Sequence, residues 1–362
     1  MRLRLSKKSF IKYFPFVLIF LSIVTATVIL VIPKEKESGI VNSIDVNKCI
    51  KDNDFHCFSD YYVAKTKNTN PVDALNDLKT LGEKNSYAKS QCHQLAHVIG
   101  HEGFAKYKTL PNAFANGNNY CWSGYYHGAT ESAVGSIGSE GIRKQASTIC
   151  KELSDQSKYS FDHFNCVHGL GHGFMTVDNF NLFNALDSCD LLTDNWEESS
   201  CYGGVFMENV MVAVRGDGYS KYLKPDQPMY PCTDVGATYK EQCYLMQTSY
   251  ALEKNSYNFS TVANLCQNLI DSDFTSTCYQ SLGRDASGST NSDIVKTKAN
   301  CQSAIDQEGL KNCMLGAVRD IVSYFHSDVT AKQFCNLYET ELNNICQAEV
   351  KSYYKTFNPR ED

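Results

Sequence analysis

The chain is predicted to be all-α: an α-solenoid of disulfide-linked helical hairpins preceded by one transmembrane helix. Three observations predict this. The N-terminus pairs a basic flank with a long uncharged apolar run. All 16 cysteines fall at or beyond Cys49. Those cysteines recur in closely spaced pairs with a regular period, on segments whose apolar residues are spaced as on a helix.

Arg2, Arg4, Lys7, Lys8 and Lys12 stand in the first 13 residues with no acidic residue, and Tyr13 to Pro33 carries no charge. The run from Phe16 to Ile32 approaches the roughly 20 apolar residues needed to span a bilayer. A basic flank favours a cytoplasmic N-terminus, so residues 1–13 read as a cytoplasmic segment and 14–33 as a signal anchor. The competing reading is a cleaved signal peptide, whose apolar region spans about 7 to 15 residues. Here the run continues through Val28, Ile29, Leu30, Val31 and Ile32. Residues 34–48 show little periodicity and read as a solvated linker.

This topology places the rest of a single-pass protein outside the cytoplasm. An even number of cysteines confined to that part is what pairing in an oxidising compartment leaves. The chain has 34 basic and 40 acidic residues, a net charge of −6; without the five basic residues of the anchor the remainder carries −6 − 5 = −11. That balance excludes a general nucleic-acid binder, which needs a basic surface. The sequon at Asn258-Phe259-Ser260 carries meaning only in a glycosylating host.

Residues 49–356 form the expected repeat domain and 357–362 a tail. Six cysteine pairs follow one another: Cys150 and Cys166, Cys189 and Cys201, Cys232 and Cys243, Cys266 and Cys278, Cys301 and Cys313, Cys335 and Cys346. Their second members recur after 35, 42, 35, 35 and 33 residues, which is a repeat period. Val262, Leu265, Cys266 and Leu269, like Ala331, Phe334, Cys335 and Tyr338, fall at helical spacing. Ser260, Thr261 and Thr330 stand where N-caps are expected. The second cysteine of each pair is expected to open the following helix. Two helices joined by a short turn run antiparallel, so cysteines flanking the turn come within bridging distance, and one bridge per hairpin is expected. Upstream, Cys49 and Cys57 resemble a tighter first pair. Cys92 and Cys121 each open a candidate second helix and are candidates to bridge each other.

Hairpins at this period stack so that each repeat contacts mainly its neighbours. Over roughly residues 45–356 the arrangement resembles tetratricopeptide and, more closely, Sel1-like repeat proteins, whose cysteine-rich exported members carry a disulfide within each hairpin. The resemblance rests on period, hairpin pattern and cysteine placement. The tetratricopeptide Trp-Leu-Gly-Tyr and Ala signature is missing and the cysteine separation differs, so the resemblance implies an architecture and no specific partner.

Six of the nine histidines lie in three motifs within residues 92–209: Cys92-His93-Gln-Leu-Ala-His97-Val-Ile-Gly100-His101, Cys121-Trp122-Ser-Gly124-Tyr125-Tyr126-His127-Gly128, and Cys166-Val-His168-Gly169-Leu-Gly171-His172-Gly173. Residues four apart share a helix face. His97 with His101 and His168 with His172 are therefore two-nitrogen clips, His93 extends the first by a turn, and His127 with Glu131 is a mixed clip. Glu208 falls near the depth of His172 in the next repeat. Imidazoles with a carboxylate suit zinc, copper or iron, with Glu131 or Glu208 as a ligand or general base, and the neighbouring glycines would let helices approach closely. Six imidazoles exceed one four-coordinate site, which implies two ions or supporting roles for some.

Other chemistry is excluded by motif. There is no Cys-x-x-Cys-His for covalent haem, no His-Glu-x-x-His, since Glu102 follows His101 without a second histidine, and no Gly-x-Ser-x-Gly or nucleotide phosphate loop. With all cysteines assigned to bridges none is left as a nucleophile, and Ser123 and Ser132 near His127 make a weak case for a serine hydrolase. Beyond residue 210 the repeats lack the histidine motifs and carry Gln247, Ser249, Gln280, Arg284, Arg319 and Asp320 at the matching depth. The site is therefore expected to belong to the N-terminal half, with Arg284–Asp285 and Arg319–Asp320 as structural charges. Tyr120, Trp122, Tyr125 and Tyr126 crowd around His127 and could wall a pocket or fill a core, with the core favoured. The functional expectation is a metal-dependent hydrolase or oxidoreductase; its rival is a non-catalytic scaffold that binds a protein partner on the solenoid surface and buries its histidines for structure.

Overall fold

The computed structural model describes residues 44–154, 161–215 and 220–357. The expected segments 1–13 and 14–33, most of the linker and residues 358–362 lie outside them. Among the described residues no helix is long and apolar enough to cross a membrane.

Short helices alternate with long ones. The N-terminal part comprises α1 (Val46–Asp52), α2 (Phe55–Asn68), α3 (Pro71–Gly82), α4 (Ser86–Ser90), α5 (Cys92–Tyr107), α6 (Leu110–Ala115), α7 (Gly124–Ile149) and α8 (Phe161–Val177). Then follow α9 (Leu182–Cys189), α10 (Asn195–Arg215), α11 (Ala237–Lys254), α12 (Phe259–Gln267), α13 (Thr275–Gly288), α14 (Ile294–Cys301), α15 (Gln307–Phe325), α16 (Val329–Cys335) and α17 (Thr340–Phe357). Asp and Asn side chains cap many of them: Asp54 accepts from the His56 and Cys57 amides, Asn181 from Asn184, and Asp306 from Gly309. Such caps satisfy amides that have no partner within the helix.

The cap positions depart from expectation. The α12 cap is Asn258, accepting from Thr261, and α16 starts after Asp328, so Ser260, Thr261 and Thr330 lie inside their helices. Helix α1 begins within the expected linker, started by Asp45 and held by Cys49. The second cysteines do not open their helices either: Cys201, Cys243, Cys313 and Cys346 sit one to two turns inside α10, α11, α15 and α17. The interhelical turn is shorter than the cysteine spacing suggests, because the bridge reaches past the first turn of the long helix.

All 16 cysteines are paired. The bridges are Cys49–Cys57, Cys92–Cys121, Cys150–Cys166, Cys189–Cys201, Cys232–Cys243, Cys266–Cys278, Cys301–Cys313 and Cys335–Cys346. Their Cα separations, from 5.3 to 5.9 Å, suit a disulfide. Eight such bridges indicate an extracytoplasmic or secreted protein.

The long helices pack in sequence as an inner layer: α5 on α7, α7 on α8, α8 on α10, α10 on α11, α11 on α13, α13 on α15 and α15 on α17. Three of these contacts are unusually close, each through a reciprocal pair of glycines. A Cβ on Gly100 or Gly128 would strike the carbonyl of Tyr125 or His97 across α5 and α7. The same holds for Gly171 and Gly204 against Cys201 and His168, and for Gly283 and Gly316 against Cys313 and Gln280. The layer curls back on itself, so that Trp122 Nε1, just ahead of α7, donates to Asp320 Oδ1 on α15 at 2.9 Å.

Candidate metal centre and adjoining cavity

The close glycine contacts bring the histidine-bearing faces of α5, α7 and α8 together. His93, His97, His127, His168 and His172 form one buried cluster. Ring centroids lie 4.8 Å apart for His93–His97 and His127–His168, and 5.1 Å for His97–His172. Within each of two sets, His93–His97–His127 and His127–His168–His172, one ring nitrogen per residue lies within 4.8 Å of the others.

Hydrogen bonds on the far side of the rings fix their tautomers. His93 Nδ1 lies 3.0 Å from the Cys121 carbonyl, which can only accept, so the proton is on Nδ1. His172 Nδ1 donates to Glu208 Oε2 at 2.9 Å, with both residues buried, at 0% and 1% exposure. Asn165 Nδ2 donates to the Phe161 carbonyl, which turns its Oδ1 toward His127 Nε2 at 3.2 Å. His127 is therefore protonated on Nε2. His127 Nδ1 and His172 Nε2 are buried with no hydrogen-bond partner. His168 donates to the Ser200 backbone carbonyl. Such outer partners are what orients imidazoles for a metal.

A left-handed turn makes the first of these bonds. Cys121, Trp122 and Ser123 have φ of 56°, 52° and 61°, an uncommon run for residues with a Cβ. Cys121 therefore precedes α7 rather than opening it. The turn aims its carbonyl at His93 and sends Trp122 toward Asp320 and Tyr324.

Burial holds His97, His127 and His168 well below the ordinary histidine range, and the neighbouring imidazoles add to this. These three imidazoles are neutral. His101 differs: its side chain is 41% exposed and its Nε2 donates to Glu131 Oε2 at 2.8 Å. Burial of the ring opposes its charge, but the hydrogen bond and field of Glu131 outweigh this and raise it. Burial works against the charge on Glu131 in turn, and the His101 and His97 contacts overcome it, holding this carboxyl well below its usual range. Thr176 Oγ1 also donates to Glu131.

Of the eight residues expected at the site, five imidazoles therefore converge. His101, Glu131 and Glu208 lie around them as hydrogen-bond partners; neither carboxylate belongs to the sets of mutually close donor atoms. Asn165 was not anticipated, although its position next to Cys166 and one turn before His168 was a signal.

His127 and His168 also line a cavity of about 320 Å3. The histidine sets all come from the N-terminal half, as expected, but the cavity beside them extends beyond it. The opposite wall carries Gln280, Arg284, Arg319 and Asp320 from α13 and α15, because the curl of the layer brings these helices opposite α7 and α8. Arg284 pairs with Asp285 at 2.8 Å as expected, whereas Arg319 pairs with Glu349 at 2.6 Å and not with Asp320. Tyr125 and Tyr126 are core, but Trp122 lines this cavity and Tyr120 a second one.

Compared with family models, curated proteins and solved structures, the chain matches none. The all-helical, disulfide-rich fold agrees with a helical-repeat architecture, and the Sel1-like resemblance rests on that architecture.

Proposed function

We propose that this is a membrane-anchored extracytoplasmic helical-repeat protein. Its five clustered histidines bind a transition-metal ion, and it acts as a metal-dependent hydrolase or oxidoreductase on a molecule held in the adjoining cavity. The observation that carries this reading is the pair His93 Nε2 and His97 Nε2, 3.2 Å apart.

With its proton on Nδ1, His93 in its neutral form presents a lone pair at Nε2. Neutral His97 has one proton to place. On Nε2 it satisfies His93 and leaves the Nδ1 lone pair 3.5 Å from the Glu131 carboxylate. On Nδ1 it satisfies Glu131 and sets two lone pairs against each other. A buried cation between the Nε2 atoms relieves both arrangements. Two nitrogens bound to a tetrahedral zinc at about 2.0–2.1 Å stand roughly 3.3 Å apart, close to the spacing seen. Zinc, copper and iron all accept such an imidazole set. A bound ion would supply Lewis acidity or a redox couple. The chain's own part is to orient the donors through Cys121, Asn165 and Glu208, keep them neutral by burial, and position the substrate.

The test is the metal content of the full chain, expressed in an oxidising host. At least about half an equivalent of zinc, copper or iron and a melting temperature lowered by chelator are expected, since an ion bound only to the folded state stabilises it. Less metal with unchanged melting sinks the proposal in favour of a scaffold with structural histidines. Zinc would favour the hydrolase, copper or iron the oxidoreductase. The anchor is checked separately: the chain should sediment with membranes, and deletion of residues 1–33 should release it.

A further inference from the structure

The cavity beside the cluster has a character of its own. Trp122, Phe161, Phe164, Leu245 and Tyr353 give it an aromatic and aliphatic wall, and its volume of about 320 Å3 suits a small organic molecule. Its charges are unequally matched. Arg284 and Arg319 each already hold a carboxylate, Asp285 and Glu349.

Asp320 holds no cation. It is 7% exposed, Oδ1 accepts from Trp122, and Oδ2 is buried with no hydrogen-bond partner. Removal from water pushes this carboxyl up to about 7, against the opposing effects of the Ser287 hydroxyl, the Arg284 charge and the Trp122 hydrogen bond. The charged groups nearest it are Arg284 and Asp285 on α13, whose fields oppose each other. Tyr324 on α15 and Tyr353 on α17 are held neutral, their phenols raised by burial. Arg319 and Glu349 face one another across α15 and α17. The histidines on this wall, His127 and His168, are neutral, and burial lowers His326 as well. Whenever Asp320 is ionised, one negative charge is therefore left over, framed by aromatic rings, which is the chemistry that recognises an organic cation.

We infer that the cavity takes a small organic amine, its ammonium group on Asp320 and its apolar body against the aromatic wall, with the far end toward His127 and His168. This names the substrate class of the proposed metal site and rests on that reading only for what lies at the far end; the amine contact needs no metal.

Calorimetric titration of the full chain, as purified and after chelator treatment, with benzylamine and its neutral isostere benzyl alcohol tests the inference. The chelated protein removes direct coordination of the amine as an explanation. Benzylamine is expected to bind at least about tenfold more tightly than the alcohol in both preparations, and Asp320→Asn to erase the preference. Equal affinities, or a preference that survives Asp320→Asn, overturn it. Should that variant fail to fold, the wild type still decides. At pH 6, where Asp320 is largely protonated, amine binding is expected to release close to one proton, seen as a dependence of the heat on buffer ionisation, while alcohol binding releases none; no release with the amine overturns the inference. Loss of metal binding with the amine preference intact would count against the metal proposal alone, and the converse against this one alone.

Discussion

Two helix pairs of this all-helical, repeat-like fold, α8 with α10 and α13 with α15, share one backbone register and carry different chemistry. In each, a glycine three residues after a contacting carbonyl meets the partner helix, and the partner returns the contact: Gly171 and Gly204 in one, Gly283 and Gly316 in the other. Counting from these contacts, Gln280 takes the place of His168, Arg284 that of His172, and Asp320 that of Glu208. The buried His172–Glu208 hydrogen bond of the first pair thus corresponds to a neighbouring Arg284 and Asp320 in the second. The glycines set how closely the helices approach; the residues one turn further along decide what the shared face does. The repeat supplies an imidazole end and a charged end to the same cavity.

The largest expected effect tests the shared register. Gly204→Val and Gly316→Val should each destabilise the domain by at least about 3 kcal/mol, because the added atoms meet backbone that cannot move without parting the helices. If thermal melts showed Gly316→Val to be tolerated and Gly204→Val not, the equivalence of the two helix pairs would fail.

Next come the two buried carboxylates. Asp320 has its native pKa raised to about 7, above the 3.8 of the free side chain. The folded state therefore binds the extra proton, and the stability this gives is full below about pH 3.8 and lost as pH rises through 7. The loss is on the order of 4 kcal/mol at most. Melts of Asp320→Asn should lack that decline, and parallel curves for variant and wild type would refute it. Glu208→Gln should leave this pH dependence in place and instead weaken metal affinity by about 10- to 100-fold, the usual cost of losing a carboxylate behind a ligating histidine. Competition with a chromophoric chelator measures it. Asp320→Asn should not change that affinity.

Much of this was legible in the sequence, for local reasons. Cysteine spacing and helical periodicity report contacts within one hairpin, so helices and bridges could be read. The i, i+4 histidines report one helix face. What the sequence did not show depends on accumulated geometry. The small rotation between repeats adds up over many helices, and only the sum brings Asp320 to Trp122. The left-handed turn at Cys121–Ser123 has no glycine to mark it before Gly124. Asn165 was passed over because its role depends on an amide held by the Phe161 carbonyl. His101 was grouped with His97 by spacing alone, although spacing does not tell which member of a clip faces inward.

That last difference gives the smallest expected effect and the sharpest division within a single motif. His97 and His101 are four residues apart on α5, yet His97 is 3% exposed and stands between His93 and Glu131, whereas the His101 side chain is 41% exposed and spends its Nε2 on Glu131. His97→Ala removes a donor from the centre and should lower metal affinity at least about 100-fold. His101→Ala removes a partly solvated hydrogen bond to a carboxylate that Thr176 still supports. Partly exposed ion pairs contribute roughly 0 to 1 kcal/mol, so the change should stay within about fivefold. Comparable losses for the two variants would place His101 among the ligands and restore the two-nitrogen clip that the spacing suggests.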